Sequence, residues 1–242
     1  MSDTTNHAKI AGEGTIGGGT YGDVTINGAG TVSGDVTCNR LKINGMGTCK
    51  GSVKADSATV NGTGRFDGQA QIGDLGVNGE VTMMQSAGIG SLKLKGRMTI
   101  SGGLAARTAD VRGELVVGEN LEAESVEGEG AFRVGGLLNA GRVSFRLHGQ
   151  SSAREIGGES ITVLGPRGFV PAALLGLFSE KRLTVDVVEG DDVTLEYTTA
   201  QVVRGATVSI GEGCRIGTVE YTGSFTRLAD ATVAEERKIP AP

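Results

Sequence analysis

Catalytic or metal chemistry in this 242-residue chain would have to be built from two histidines, three cysteines and a few carboxylate clusters. His7 stands in a polar N-terminal stretch, and His148 lies beside Gly149 with no paired Cys, Ser or carboxylate motif. A base without a nucleophile and an orienting acid makes no catalytic constellation. Cys38, Cys49 and Cys214 form no C-x-x-C pair, and the first two fall on apolar positions of a repeating pattern. They read as small core residues. Asp186, Glu189, Asp191 and Asp192 offer the oxygens a divalent cation takes, against the plainer reading of a turn before Val193. The run Glu119, Glu122, Glu124, Glu127 and Glu129 reads as a solvated face. Gly12-Glu-Gly14-Thr-Ile-Gly17 matches the dinucleotide fingerprint in letters, but no βαβ unit surrounds it and 42 glycines make a chance match expected. Catalytic, cofactor-binding and metal residues are therefore all assigned as none, and no cofactor is expected.

Composition agrees with that restraint. Net charge is −5, the pI is near 5.2 and the basic residues are scattered. Phosphate neutralisation needs a basic stripe, so no nucleic-acid partner is expected. Four prolines, no tryptophan and 4% aromatic residues do not describe an ordinary globular core. Disorder fails too, because Val, Ile and Leu recur at regular positions. Met1 to Lys9 shows no apolar signal segment and no 18-residue apolar run follows, so the expectation is a reduced, cytoplasmic location. Asn61-Gly-Thr63 would be a glycosylation sequon only in a secreted chain.

The elements that position these residues come from a repeat. Apolar–any–glycine recurs as Ile26-Asn27-Gly28, Ile43-Asn44-Gly45, Val60-Asn61-Gly62, Val77-Asn78-Gly79, Leu94-Lys95-Gly96 and Val111-Arg112-Gly113, every copy the same step of 17 after the last. A fixed short period marks a repeat architecture. Within one period the small or apolar residues pair two apart: Val24/Ile26, Gly30/Val32, Val36/Cys38, then Leu41/Ile43. Residues two apart share one side of a strand. Three pairs per period predict a triangular coil of three short strands, an all-β single-stranded parallel β-helix (β-solenoid). Glycine at the corners (Gly34, Gly51, Gly68 and Gly102 at one) supplies the positive φ that tight bends need. Asn27, Asn44, Asn61 and Asn78 should then stack as an amide ladder, continued by Lys95, Arg112 and Glu129.

Beyond Val126 the register loosens. Val185, Val203 and Tyr221, spaced by 18, suggest that the repeat resumes, with Val203-Arg204-Gly205 and Tyr221-Thr222-Gly223 restoring the motif. The step from Val163 to Val185 is 22, which reads as a modest bulge and not a second domain. The expected organisation is a polar tail at 1–7, a β-helix over 8–228 with an apolar bulge at 165–182, and a charged flexible tail at 229–242. About twelve coils would make roughly 60 Å of rod. Pro171 and the basic pair Lys181-Arg182 suit the start and end of two helical turns in the bulge. Its large apolar residues, Phe169, Leu174, Leu175, Leu177 and Phe178, need cover. They fold back on the rod, bind another subunit or recruited protein, or enter a lipid surface with Lys181 and Arg182 at the headgroups.

Two families come near this pattern. Ile210-Gly-Glu-Gly-Cys-Arg-Ile216-Gly217 is similar to the hexapeptide-repeat acyltransferases, which also stack three short strands per coil and whose chemistry usually uses a histidine. The signature is brief here and no histidine is near it. The glycine-rich 17-residue coils resemble the bactofilins, polymer-forming bacterial cytoskeletal proteins. The closing stretch, with Glu189-Gly-Asp-Asp192, Leu195-Glu-Tyr197, Val202-Val-Arg-Gly205 and Val219-Glu-Tyr221, is similar to longer members found in Firmicutes. This chain is longer than the compact members and carries the bulge. The resemblance implies a right-handed β-helix, nucleotide-independent self-assembly, no catalysis, and a scaffolding role in cell shape, polarity or motility, often beneath the cytoplasmic membrane. Physics adds a reason to assemble: an end coil exposes unpaired strand groups and the cross-section of the core. Ile10, Ile16, Tyr221, Phe225 and Leu228 are expected to line those end faces and form the polymerisation interface. A monomeric β-solenoid that recruits partners along a flat face is the alternative.

Overall fold

A computed structural model describes residues 6–166, 182–228 and 230–240. Every regular element among the described residues is a β-strand, and the strands pair in parallel as stacked coils, so the chain is an all-β β-solenoid. It divides into two compact units, Met1–Glu119 and Asn120–Pro242.

The first unit contains β1 (Ala8–Ile16), β2 (Gly19–Val32), β3 (Val36–Cys49), β4 (Val53–Phe66), β5 (Ala70–Met83), β6 (Ala87–Ile100) and β7 (Leu104–Val117), each paired with the next. From β2 on, every residue faces the one 17 positions later, as Ile26 faces Ile43 and Val77 faces Leu94. The three short strands expected per coil run together as one 14-residue ladder, interrupted by a short corner such as 33–35. Corner bonds keep the step, with Lys50 N–H donating to Val32 O at 2.9 Å and Asp67 N–H to Cys49 O at 2.8 Å. The expected pairs lie inside: Val24, Ile26, Val32, Val36, Cys38, Leu41 and Ile43 are buried. Adjacent coils place apolar residues over apolar residues, and a column can vary in size, as where Phe66 lies between Cys49 and Met83 in register.

One glycine column dictates the bend. Gly28, Gly45, Gly62, Gly79, Gly96 and Gly113 all have φ between 122° and 151°. A Cβ at any of the later five would strike the carbonyl oxygen of the glycine one coil back. Conformation and space both demand glycine there.

The second unit holds β8 (Leu121–Val134), β9 (Leu137–Leu147), β10 (Ser151–Ser152), β11 (Glu155–Leu164), β12 (Leu183–Leu195), β13 (Thr198–Ile210), β14 (Arg215–Arg227) and β15 (Thr232–Lys238). Its coil length varies. Val126 faces Val143, Val143 faces Ile161, Ile161 faces Val193, Val193 faces Val208, and Val203 faces Val219. The steps in sequence number are 17, 18, 32, 15 and 16 in turn. Phe132 and Phe145 fill its core edge to face, with ring centroids 5.0 Å apart at 85°.

Three expectations change here. The bulge is no modest excess: Ile161 to Val193 is a step of 32, against 17 from β2 to β7, because Val163 returns to register against Leu195 and not near Val185. Tyr221-Thr222-Gly223 does not align with Val203-Arg204-Gly205; Gly205 faces Tyr221, and a register shift follows between Gly205 and Thr207. Thr232–Lys238, expected as part of a loose tail, forms β15 in register with Arg215–Tyr221.

Candidate functional site

The candidate surfaces are the outer strand edges of the two units and the base of the long coil. The N-terminal edge is β1. It pairs with β2 through Ile10–Ile26 and Ile16–Val32, and no described strand lies on its other side. Ile10 is buried and Ile16 half-buried. Gly12 keeps the left-handed φ of the glycine column, 91°, yet a Cβ there would meet nothing within 4 Å. In later coils that space holds a carbonyl oxygen of the preceding coil. His7 closes the corner beside this edge: Asp23 N–H donates to its Nδ1 at 3.1 Å, and Arg40 pairs with Asp23 at 3.4 Å.

The C-terminal edge is built differently. β15 covers Arg215–Tyr221 and leaves Ser224–Arg227 without a described strand on the outer side. Tyr221 and Phe225 stack at 5.5 Å, both half-buried, and Leu228 is 52% exposed. Tyr221 lies under Lys238 of β15, and Phe225 and Leu228 follow beyond the stretch that β15 pairs. A column of alternating charge runs through the edge: Glu189, Arg204, Glu220 and Arg237 are successive partners in register. Arg204 donates to Glu220 at 2.7 Å and to Glu189 at 3.4 Å, and Arg237 to Glu220 at 3.5 Å. These residues occupy the motif position that Asn27, Asn44, Asn61 and Asn78 hold in the first unit. There the Nδ2 of Asn44, Asn61 and Asn78 donates to the Oδ1 of the Asn one coil back, at 2.7, 2.9 and 2.9 Å.

The chain is clamped on both sides of residues 167–181. Arg146 Nη1 donates to Gly165 O at 2.7 Å, and Gly165 N–H to Glu196 Oε2 at 2.8 Å. On the return side Arg182 Nη1 donates to Thr199 Oγ1 and Gly213 O at 3.1 and 3.0 Å. Arg182 is thus engaged by the coils. Burial, then the nearby Arg215, lowers its pKa. Tyr197 lies at this corner with φ 48°, outside the region most side chains adopt. Glu212 holds it, accepting from the Tyr197 hydroxyl at 2.6 Å through Oε1 and from the Tyr197 N–H at 2.7 Å through the backbone oxygen. Burial and then Glu212 push the phenol up to about 12. None of Arg146, Glu196, Tyr197 or Glu212 stands out for this role in the sequence, because the contacts join residues up to 31 positions apart. Phe169, Leu174, Leu175, Leu177 and Phe178, with the helix expected there, lie outside the described residues.

The remaining candidates are placed as follows. Asp186, Glu189, Asp191 and Asp192 are exposed on β12, with Asp186 accepting from Gln201 at 3.0 Å. β12 runs on through Val193, so the expected turn before it is a strand. No group of three or more metal-ligating side chains gathers among the described residues. Glu129 stands 3.8 Å from His148. All three cysteines are buried and unpaired; burial pushes the thiols of Cys38 and Cys214 to about 11 and Cys49 to about 12. Gly12 and Gly14 belong to β1, not to a phosphate loop. Ile210–Gly217 turns the chain from β13 into β14.

No family model matches the chain, and no solved structure matches it. The chain is similar to the uncharacterized protein YhbE of Bacillus subtilis (strain 168), 42% identical over 105 residues, 43% of this chain and 44% of that protein. It is also similar to the uncharacterized protein YhbF of the same strain, 49% identical over 89 residues, 36% of this chain and 34% of that protein. The matches span less than half the length of these curated relatives.

Proposed function

We propose that the chain is a non-enzymatic scaffold that assembles with copies of itself, without nucleotide or cofactor, by stacking β-solenoid edges into filaments. The observation that carries this reading is the outer edge of β1, which no described strand pairs, with Gly12 bent for a neighbouring coil and no described atom in that space. A parallel strand edge with apolar columns behind it is a template for another strand. The resemblance to bactofilins supports the same reading. We extend it to a cytoplasmic location at the inner face of the membrane and to recruited proteins, on that resemblance and on the apolar composition of 169–178.

Negative-stain electron microscopy of the purified chain without nucleotide tests it. Filaments are expected, and Phe225→Arg should shorten or abolish them by placing an unpaired charge at the C-terminal junction. Monodisperse particles across salt and concentration would overturn the reading; intact filaments in the variant would remove Phe225 from the junction. A second reading, a monomeric solenoid that binds partners along a face, is favoured by β15, which half-closes one edge with charged residues. A stable monomer that pulls down one specific partner would decide for it.

A further inference from the structure

The two outer edges are not equivalent, and the difference lies in one strand. The columns Val185–Ala200–Ile216 and Val188–Val203–Val219 run through the core of β12, β13 and β14, and all six residues are buried. β15 continues the first column with Val233 and the second with Glu236. A carboxylate therefore occupies a core column at the end of the stack. Glu236 is exposed and accepts a hydrogen bond from the Tyr221 hydroxyl at 2.9 Å. Any further strand laid on β15 in the same register would seal that carboxylate into an apolar column, an unfavourable burial of unpaired charge. Inward charge on an edge is a known way for a sheet to refuse more strands.

The strand itself is held lightly. Val233 is half-buried and the other six residues of β15 are exposed. Its ends are pinned by Thr232 N–H to Cys214 O and Ile239 N–H to Tyr221 O, both at 2.9 Å. Arg237 is shared between Glu235 of its own strand and Glu220 beneath it. Exposed ion pairs of this kind contribute little to stability. Beneath lies an edge, Arg215–Tyr221, that already accepts a parallel strand and has Ile216 and Val219 behind it.

We propose that β15 is a stop strand: it occupies the C-terminal stacking edge, and its displacement opens that edge to a second copy of this chain. The inference rests on the self-assembly reading and gives it a control. The occupant is a second copy, because the edge is seen to take a parallel strand in register and the other outer edge, β1, is a parallel strand with no described strand on its outer side.

The experiment compares three purified proteins by sedimentation velocity and electron microscopy over a concentration series: the full chain, a chain ending at Leu228, and full-length Glu236→Val. The chain ending at Leu228 and the Glu236→Val chain should each assemble at about tenfold lower concentration than the full chain, the factor that about 1.4 kcal/mol of added edge affinity gives. A synthetic peptide of residues 230–240 should raise the threshold of the chain ending at Leu228 again. Equal thresholds for all three overturn the stop strand and leave self-assembly standing. Monomers in all three overturn both. Assembly by the chain ending at Leu228 that the peptide does not reverse also overturns the proposal, since the edge would then not be the one β15 occupies. Glu236→Val keeps the whole chain, so it decides the matter should the chain ending at Leu228 not fold.

Discussion

The same position of the coil does two different things in the two units. In the first it carries Asn in four successive coils before Lys95 and Arg112, and the four amides bond in a neutral ladder beside a glycine column locked at positive φ. In the second it carries Glu, Arg, Glu and Arg, and the adjacent residues Gly190 and Gly205 do not have positive φ. Released from the left-handed bend, that column admits Tyr221 at its end. An amide can donate up and accept down, so an Asn ladder extends by any number of identical coils. The charge ladder of the second unit alternates, which ties each of its coils to its neighbour, since like charges directly opposite are unfavourable. Uniform coils follow from the first rule and individual coils from the second.

The largest test of that contrast is at the glycines. Gly62→Val places a β-branched residue at φ 138° with its Cβ on Gly45 O, and should cost more than about 4 kcal/mol, enough to unfold the first unit. Gly205→Ala, at the corresponding place in the second unit, should cost about 1–2 kcal/mol, since crowding remains but the bend does not. Thermal melting of the two variants checks this, and equal losses would show that space, not φ, governs both columns.

Next come the thiols. Burial raises Cys49 to about 12 and Cys38 to about 11, from an ordinary value of 9.0. The unfolded thiols ionise first, so stability is full below pH 9 and drains as the pH climbs toward 11–12. At pH 10.5 the loss should be roughly 2 kcal/mol per thiol. Urea midpoints at pH 8 and 10.5 should fall less in the Cys38→Ser/Cys49→Ala double variant; an unchanged decline would assign the pH dependence to other groups.

The smallest effects separate the two ladders. Asn61→Ala removes two amide bonds and should cost about 1–2 kcal/mol whatever the salt concentration. Arg204→Ala removes exposed pairs, should cost less than about 1 kcal/mol, and should become neutral near 1 M salt. Parallel denaturation series at low and high salt read both, and a salt-sensitive Asn61→Ala would undo the distinction.

These contrasts also explain what is legible in the sequence. Val24, Ile26 and their successors reveal a core, a bend and an amide ladder because the step never departs from 17. In the second unit Val203 and Tyr221, 18 apart, resemble one coil, whereas the true partner of Val203 is Val219 at 16. With steps running from 15 to 32, the alternation Glu189–Arg204–Glu220–Arg237 is invisible until the register is known. β15 is hidden for a related reason: four consecutive charged residues, Glu235 to Lys238, look like a solvated tail unless one sees the edge they pair with. Tyr221, Phe225 and Leu228 stand out because large apolar residues are few there, whereas the strand that pairs with Arg215–Tyr221 does not.

The stacking of coils has a mechanical consequence. In each unit the backbone hydrogen bonds point along the direction in which the coils stack. Tension along that direction falls on one terminal ladder at a time, because a coil touches only its neighbours. Each 17-residue coil of the first unit that lets go frees about 55–60 Å of chain. The 32-residue coil of the second unit would free about twice that in a single event. Pulled from an end, this protein would lengthen in counted increments, a series of short slack reserves and one long one.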